Sequence, residues 1–161
     1  MGPGDVAVHF GSGRALNLRV GYDRTENVLW CLREGLFPVA ARRTVVVLIG
    51  TNNLGVKQSS PDVALGVADV VRAVRARAPE THILLLSILP RRRTGRRGDD
   101  ERGFHRMRQW RSSGVSRRFG PLPKPDGALL DEAFQADKLH LSAKGYELLS
   151  SAIDSKLNEA G

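Results

Sequence analysis

Residues 44–49 read Thr-Val-Val-Val-Leu-Ile, an uncharged, mostly β-branched run that ends at Gly50. Such a run has no polar side to turn toward water, so it suits a strand covered on both faces within a parallel sheet. A second run of this kind, His82 to Leu89, ends at Pro90. Between them Val63, Val67, Val70, Val71 and Val74 recur at helical spacing, after a Ser60-Pro61 start with serine as cap and before a stop at Pro79. Parallel strands need a crossover rather than a tight turn, and this helix supplies one. The centre of the chain is therefore predicted to be a strand–helix–strand unit.

The flanks extend the alternation. Ala15 to Val20 reads as a short strand entering a turn at Gly21-Tyr22-Asp23. Thr25 can cap a helix whose apolar stripe is Val28, Leu29, Leu32 and Leu36. Ser142 can cap a last helix with Tyr146, Leu149, Ile153 and Leu157 inward. Strands alternating with helices predict a three-layer α/β fold on a parallel sheet. A chain of 161 residues can bury a core of its own, so residues 1–161 are expected to form one domain.

Charge separates one segment from the rest. Between Arg91 and Arg118 lie eleven arginines and three acids, which equals the whole net charge of +8. Residues 91–127 are rich in Arg, Gly, Ser and Pro, and read as an insertion without strand periodicity. Within them Phe104, Met107 and Trp110 share the spacing of one helical face, and aromatics interleave with arginine. Arg91, Arg92, Arg93, Arg96 and Arg97 are the candidate polyanion contacts.

Other classes are excluded or disfavoured. No apolar run approaches the ~20 residues of a membrane span. The start, Met-Gly-Pro-Gly-Asp-Val, has neither the basic residues nor the apolar stretch of a signal peptide, so a cytoplasmic or other intracellular setting is expected. The lone cysteine, Cys31, excludes an intrachain disulfide and a multi-cysteine metal site, and is expected to be buried.

Three clusters could do chemistry. Gly50-Thr51-Asn52-Asn53 follows the central strand, where a side-chain amide can donate toward a crevice at the carboxyl ends of strands. Asp137-Lys138-Leu139-His140 spaces a carboxylate and an imidazole by three, so the acid can orient the base. The turn at Gly21-Tyr22-Asp23 can present a backbone N–H. Taken singly, each also suits a plain turn or capping residue.

In this order, Asn17-Leu-Arg-Val-Gly-Tyr-Asp-Arg-Thr-Glu-Asn-Val-Leu-Trp30, Gly50-Thr-Asn-Asn53, Leu86-Ser-Ile-Leu-Pro-Arg91 and Asp137-Lys-Leu-His-Leu-Ser-Ala-Lys-Gly-Tyr146 resemble the SGNH, or GDSL, ester hydrolases of the platelet-activating-factor acetylhydrolase α-subunit type. The resemblance implies a flavodoxin-like α/β fold and a cofactor-independent serine esterase acting on an acyl ester. It implies His140 as general base, Asp137 as its orienting carboxylate, and oxyanion donors at the Asn52 side chain and the Tyr22 backbone.

The chain departs from that pattern in several places. No Gly-Asp-Ser block occurs, so the nucleophile has no clear counterpart. Gly11-Ser12-Gly13 offers Ser12, but its setting resembles the approach to the second strand, downstream of the nucleophile. Tyr22 and Arg19 stand where the family has glycine. The first strand and a late strand are not found, which predicts an incomplete sheet. Either the neighbouring strands close on one another, another chain supplies a strand, or the sequence is a fragment. The expected function is thus an ester hydrolase-like domain with impaired catalysis. A rival reading from another class is a non-catalytic subunit of a larger homo- or hetero-oligomeric assembly, docking RNA, acidic protein or anionic lipid through the Arg-rich segment.

Overall fold

The computed structural model describes residues 16–18, 20–88, 115–118, 130–137 and 139–159. Helix α1 spans Thr25–Arg33, strand β1 Thr44–Val47, the short helix α2 Thr51–Gly55 and helix α3 Ser60–Arg77. Strand β2 follows at His82–Leu86, strand β3 at Val115–Arg118 and helix α4 at Ala143–Glu159, with a 3-10 turn at Asp131–Ala133 before α4. The three strands form one parallel sheet in the order β1-β2-β3.

The layers follow from the period-2 alternation of β2. Ile83 and Leu85 join one apolar cluster with Leu32 of α1 and Val63, Val67, Val70, Val71 and Val74 of α3. Leu84 and Leu86 point the other way and join Leu149 and Ile153 of α4, with Ala133, Phe134 and Leu141. One strand thus serves two cores, and helices cover both faces of the sheet. The valine stripe of α3 and the inward face of α4 are those the sequence predicts.

Strand β1 departs from expectation. Val45↔Ile83 and Val47↔Leu85 pair in register, placing Val45 and Val47 on the α1/α3 face. Val46 faces oppositely and remains 40% exposed. Among the described residues no strand pairs with the far edge of β1. An apolar run buries both faces only when neighbours cover both, and here β2 alone has them.

The N-terminal flank differs too. Residues 16–18 and 20 are not strand, and Leu16 and Val20 are exposed. A strand is held by ladder hydrogen bonds to a neighbour, and among the described residues this stretch has no such neighbour. It therefore does not close on β1. Conversely, β3 lies inside the Arg-rich segment, where the sequence predicts no strand. Its register, Ile83↔Val115 to Leu86↔Arg118, is set by pairing with β2 rather than by its own apolar pattern.

Caps shift by a residue or more. Arg24, not Thr25, occupies the N-cap of α1, and Asn27 Oδ1 accepts the Arg24 N–H at 3.1 Å. Ser59, not Ser60, caps α3, its Oγ accepting the Asp62 N–H at 3.3 Å. Ser142 caps α4 as expected, accepting the Gly145 N–H at 3.1 Å. Leu36 lies beyond the end of α1 and is exposed, and Cys31 is only half-buried.

Candidate active site

Asp137 and His140 sit on a loop closed at its neck. Phe134 and Leu141 form an antiparallel bridge, and the Gln135 N–H donates to the His140 carbonyl at 2.8 Å. The Gln135 side chain donates to the Leu141 carbonyl at 3.0 Å. Ser142 ties the neck to the preceding turn, donating through Oγ to the Glu132 carbonyl at 2.5 Å and through its N–H to the Ala133 carbonyl at 3.0 Å. Helix α4 is drawn tightly onto that turn at Gly145, where a Cβ would lie 2.0 Å from the Ala133 carbonyl oxygen. The loop is thus built from backbone bonds that leave its tip in solvent.

At that tip, Asp137 Oδ2 lies 2.6 Å from His140 Nδ1. Oδ1 accepts the backbone N–H groups of Leu139 and His140 at 2.9 and 3.0 Å. The hydrogen bond from His140, then the two backbone N–H bonds, hold the Asp137 carboxyl down at about 2. An ionised carboxylate can only accept, so Nδ1 carries the shared proton and Nε2 is the ring nitrogen left to act as base.

The second group gathers where β1 exits. Gly50 turns the chain at φ 113, and a Cβ there would meet Ile88 Cδ1 at 2.6 Å and Val63 Cγ1 at 2.9 Å, so no side chain fits. The turn sets Asn52 and Asn53 on α2. Asn52 Nδ2 donates to the Asp23 carbonyl at 2.9 Å. A carbonyl cannot donate, which settles the orientation of the amide and leaves its second N–H for another acceptor. Asn53, wholly buried, bonds the first residues of α1 instead.

Tyr22, beside Asp23, adopts φ 64 with its side chain 93% exposed. This left-handed backbone, easy for glycine, costs a tyrosine about 1–2 kcal/mol. Burial raises the Asp23 carboxyl above its usual value.

The structure thus joins Asp137 to His140 directly, and Asn52 to the turn that carries Tyr22. Among the described residues no hydrogen bond links Asn52 to the Asp137–His140 pair. Both groups border β2 near its carboxyl end: Ile88 packs against Gly50, while Leu86 clusters with Phe134 and Leu141. Ser12 and Arg91, Arg92, Arg93, Arg96 and Arg97 lie outside the described residues, as do Phe104, Met107 and Trp110. Among the described residues no three His, Cys, Asp or Glu side chains group closely enough to hold a metal ion. No described helix is long and apolar enough to cross a membrane. In the sequence Asn53 and Asp23 stand out only as parts of motifs. The doubled asparagine after the strand was the signal available for the first; a carbonyl acceptor such as that of Asp23 leaves none.

Comparison with known proteins shows the family and the fold. The model of the GDSL-like Lipase/Acylhydrolase family matches residues 3–148. Over 77 residues the chain is 36% identical to platelet-activating factor acetylhydrolase IB subunit alpha2 of Gallus gallus, a match covering 48% of this chain and 33% of that protein. It is 38% identical over 77 residues to the IB subunit alpha1 of Bos taurus, covering 48% of this chain and 32% of that one. The matched stretch is about a third of the length of these relatives. A solved structure described as a platelet activating factor from Streptococcus pneumonia superposes with a TM-score of 0.74, over 94% of this chain and 77% of that one. At 24% identity that likeness establishes a shared fold.

Proposed function

Since the chain belongs to the GDSL-like lipase/acylhydrolase family, we propose that Asp137, His140, Asn52 and Tyr22 supply the base and oxyanion parts of an acyl-ester hydrolase site whose turnover is impaired for want of a nucleophilic serine. The observation that supports this best is the 2.6 Å bond from His140 to a carboxylate already fixed by two backbone N–H groups. On this reading residues 1–161 make one domain of the family with an Arg-rich insertion at 91–127.

A water oxygen attacks the acyl carbon while His140 Nε2 takes its proton. Asp137 stabilises the resulting imidazolium through Nδ1 without itself becoming protonated. Negative charge collects on the former carbonyl oxygen, where the second N–H of Asn52 and the backbone N–H of Tyr22 are the donors. Collapse expels the alcohol, which takes the proton back from Nε2. No step needs a cofactor. With no Gly-Asp-Ser in the sequence, water replaces the serine and only residual rate is expected. Similarity to proteins named acetylhydrolases favours a short acyl group.

The test is hydrolysis of p-nitrophenyl acetate by the purified protein. The expected rate is far below that of a complete triad, at most roughly 10³–10⁴-fold over water. That residual should fall in His140→Ala and in Asn52→Ala. A rate unchanged in both variants overturns the site, and an ordinary turnover abolished by Ser12→Ala overturns the impairment.

One observation favours a rival reading, a non-catalytic subunit of a larger assembly: the whole net charge of +8 is concentrated between Arg91 and Arg118. A polyanion, or an assembly partner offering one, would bind there through phosphate or carboxylate contacts.

A further inference from the structure

Asn53 does not stand among the groups that would touch an acyl ester, yet its side chain is 0% exposed and fully engaged. Oδ1 accepts the Thr25 N–H at 3.1 Å. Nδ2 faces Thr25 Oγ1 at 3.1 Å, Glu26 Oε2 at 2.9 Å and Gln58 Oε1 at 2.8 Å. Two amide hydrogens are shared among three acceptors, so the group is held from several sides at once. The Thr25 N–H, at the start of α1, has no intrahelical partner and would be orphaned in the interior without it.

Asn52 and Asn53 are neighbours on α2 and grip neighbouring residues of one turn. Asn52 reaches the carbonyl of Asp23, and Asn53 reaches the N–H and hydroxyl of Thr25 and the carboxylate of Glu26. The bond from Asn52 is a single contact with the turn, and the bonds from Asn53 add three more to the residues that follow it at the start of α1. We infer that Asn53 is the positioning residue that holds the Asp23 carbonyl on the Asn52 amide, and so fixes where the second Asn52 N–H and the Tyr22 backbone point. This rests on the reading of Asn52 as an oxyanion donor.

The test uses the intact protein and the Asn52 side-chain amide signals in ¹⁵N-edited NMR. One Nδ2 hydrogen lies on the Asp23 carbonyl and the other does not, so their resonances are separated and the bonded one exchanges slowly. Asn53→Asp keeps an acceptor for the Thr25 N–H but sets a carboxylate against Glu26. The expected result is about tenfold faster exchange at the bonded Asn52 hydrogen, the factor for losing one modest hydrogen bond. Residual ester hydrolysis should drop to the level of Asn52→Ala. Adding Glu26→Gln restores a donor opposite the new carboxylate and should return both readouts to within about threefold of the parent. Should Asn53→Asp fail to fold, Thr25→Val removes one of the same contacts without charge, and the Asn52 signal should shift likewise.

An unchanged Asn52 signal in a folded variant overturns the inference, since Asn53 then only packs. If the signal responds as expected but Asn52→Ala leaves hydrolysis unaltered, the positioning stands and the oxyanion reading falls.

Discussion

Asp137 grips His140 twice, with Oδ2 on the ring Nδ1 at 2.6 Å and Oδ1 on the same residue's backbone N–H at 3.0 Å. The imidazole can neither rotate nor drift along the loop without breaking a bond to the same carboxylate. An exposed pair of this kind contributes little to stability but much to orientation.

The first prediction concerns pH. The folded Asp137 carboxyl, at about 2, lies below its usual 3.8, so its hydrogen bonds favour the folded protein above 3.8 and their contribution is lost as pH falls toward 2. A carboxyl carbon titration by NMR should show its inflection near 2. Removing the largest cause with His140→Ala should raise it toward 3.8, leaving only the backbone bonds to lower it. An inflection near 3.8 in the parent means the loop does not hold this geometry in solution.

A second prediction concerns the neck of that loop. A Cβ at Gly145 would lie 2.0 Å from the Ala133 carbonyl oxygen, and backbone on both sides leaves little room to yield. Gly145→Ala should destabilise the fold by about 1–3 kcal/mol in denaturant titration, despite the better helix propensity of alanine. A neutral or stabilising result would show that α4 can slide on the 131–133 turn.

Tyr22 gives a third. Its left-handed backbone is strained, and its exposed side chain returns almost no packing. Tyr22→Gly relieves about 1–2 kcal/mol of strain against about 0.5–1 kcal/mol of added chain entropy, so the variant should be more stable by roughly 0.5–1 kcal/mol. A loss of stability would place the phenol in a contact that supports the turn.

The fourth tests the Arg-rich segment. Changing Arg91, Arg92, Arg93, Arg96, Arg97 and Arg102 to Gln spares β3, whose pairing with β2 is part of the sheet. Polyanion binding by the parent should weaken with salt at a slope of about −0.7 to −0.9 per phosphate neutralised. The variant should lose that binding and melt at nearly the parent temperature. If it unfolds, these arginines satisfy structural partners.

What the sequence determined by itself is whatever rests on neighbours within a turn or two of chain. The valine stripe of α3 follows from the 3.6-residue period, and the Asp137–His140 pair needs only three-residue spacing. Gly50 announces the exit from β1. Tertiary structure decided the rest, because pairing and burial depend on what lies across the gap. The runs of β1 and β2 look alike, yet Val46 is exposed while Leu84 and Leu86 are covered, since β2 has a strand on both sides and α4 over that face. Residues 16–18 and 20 have the composition of a strand, yet among the described residues no neighbouring strand pairs with them, whereas Val115–Arg118 lacks the composition and becomes a strand through β2. Thr25, read locally as a helix cap, is instead a buried partner of Asn53, 28 residues away in the chain. A hydrogen bond closed over that distance leaves no periodic trace in sequence, because only the fold brings its two ends together.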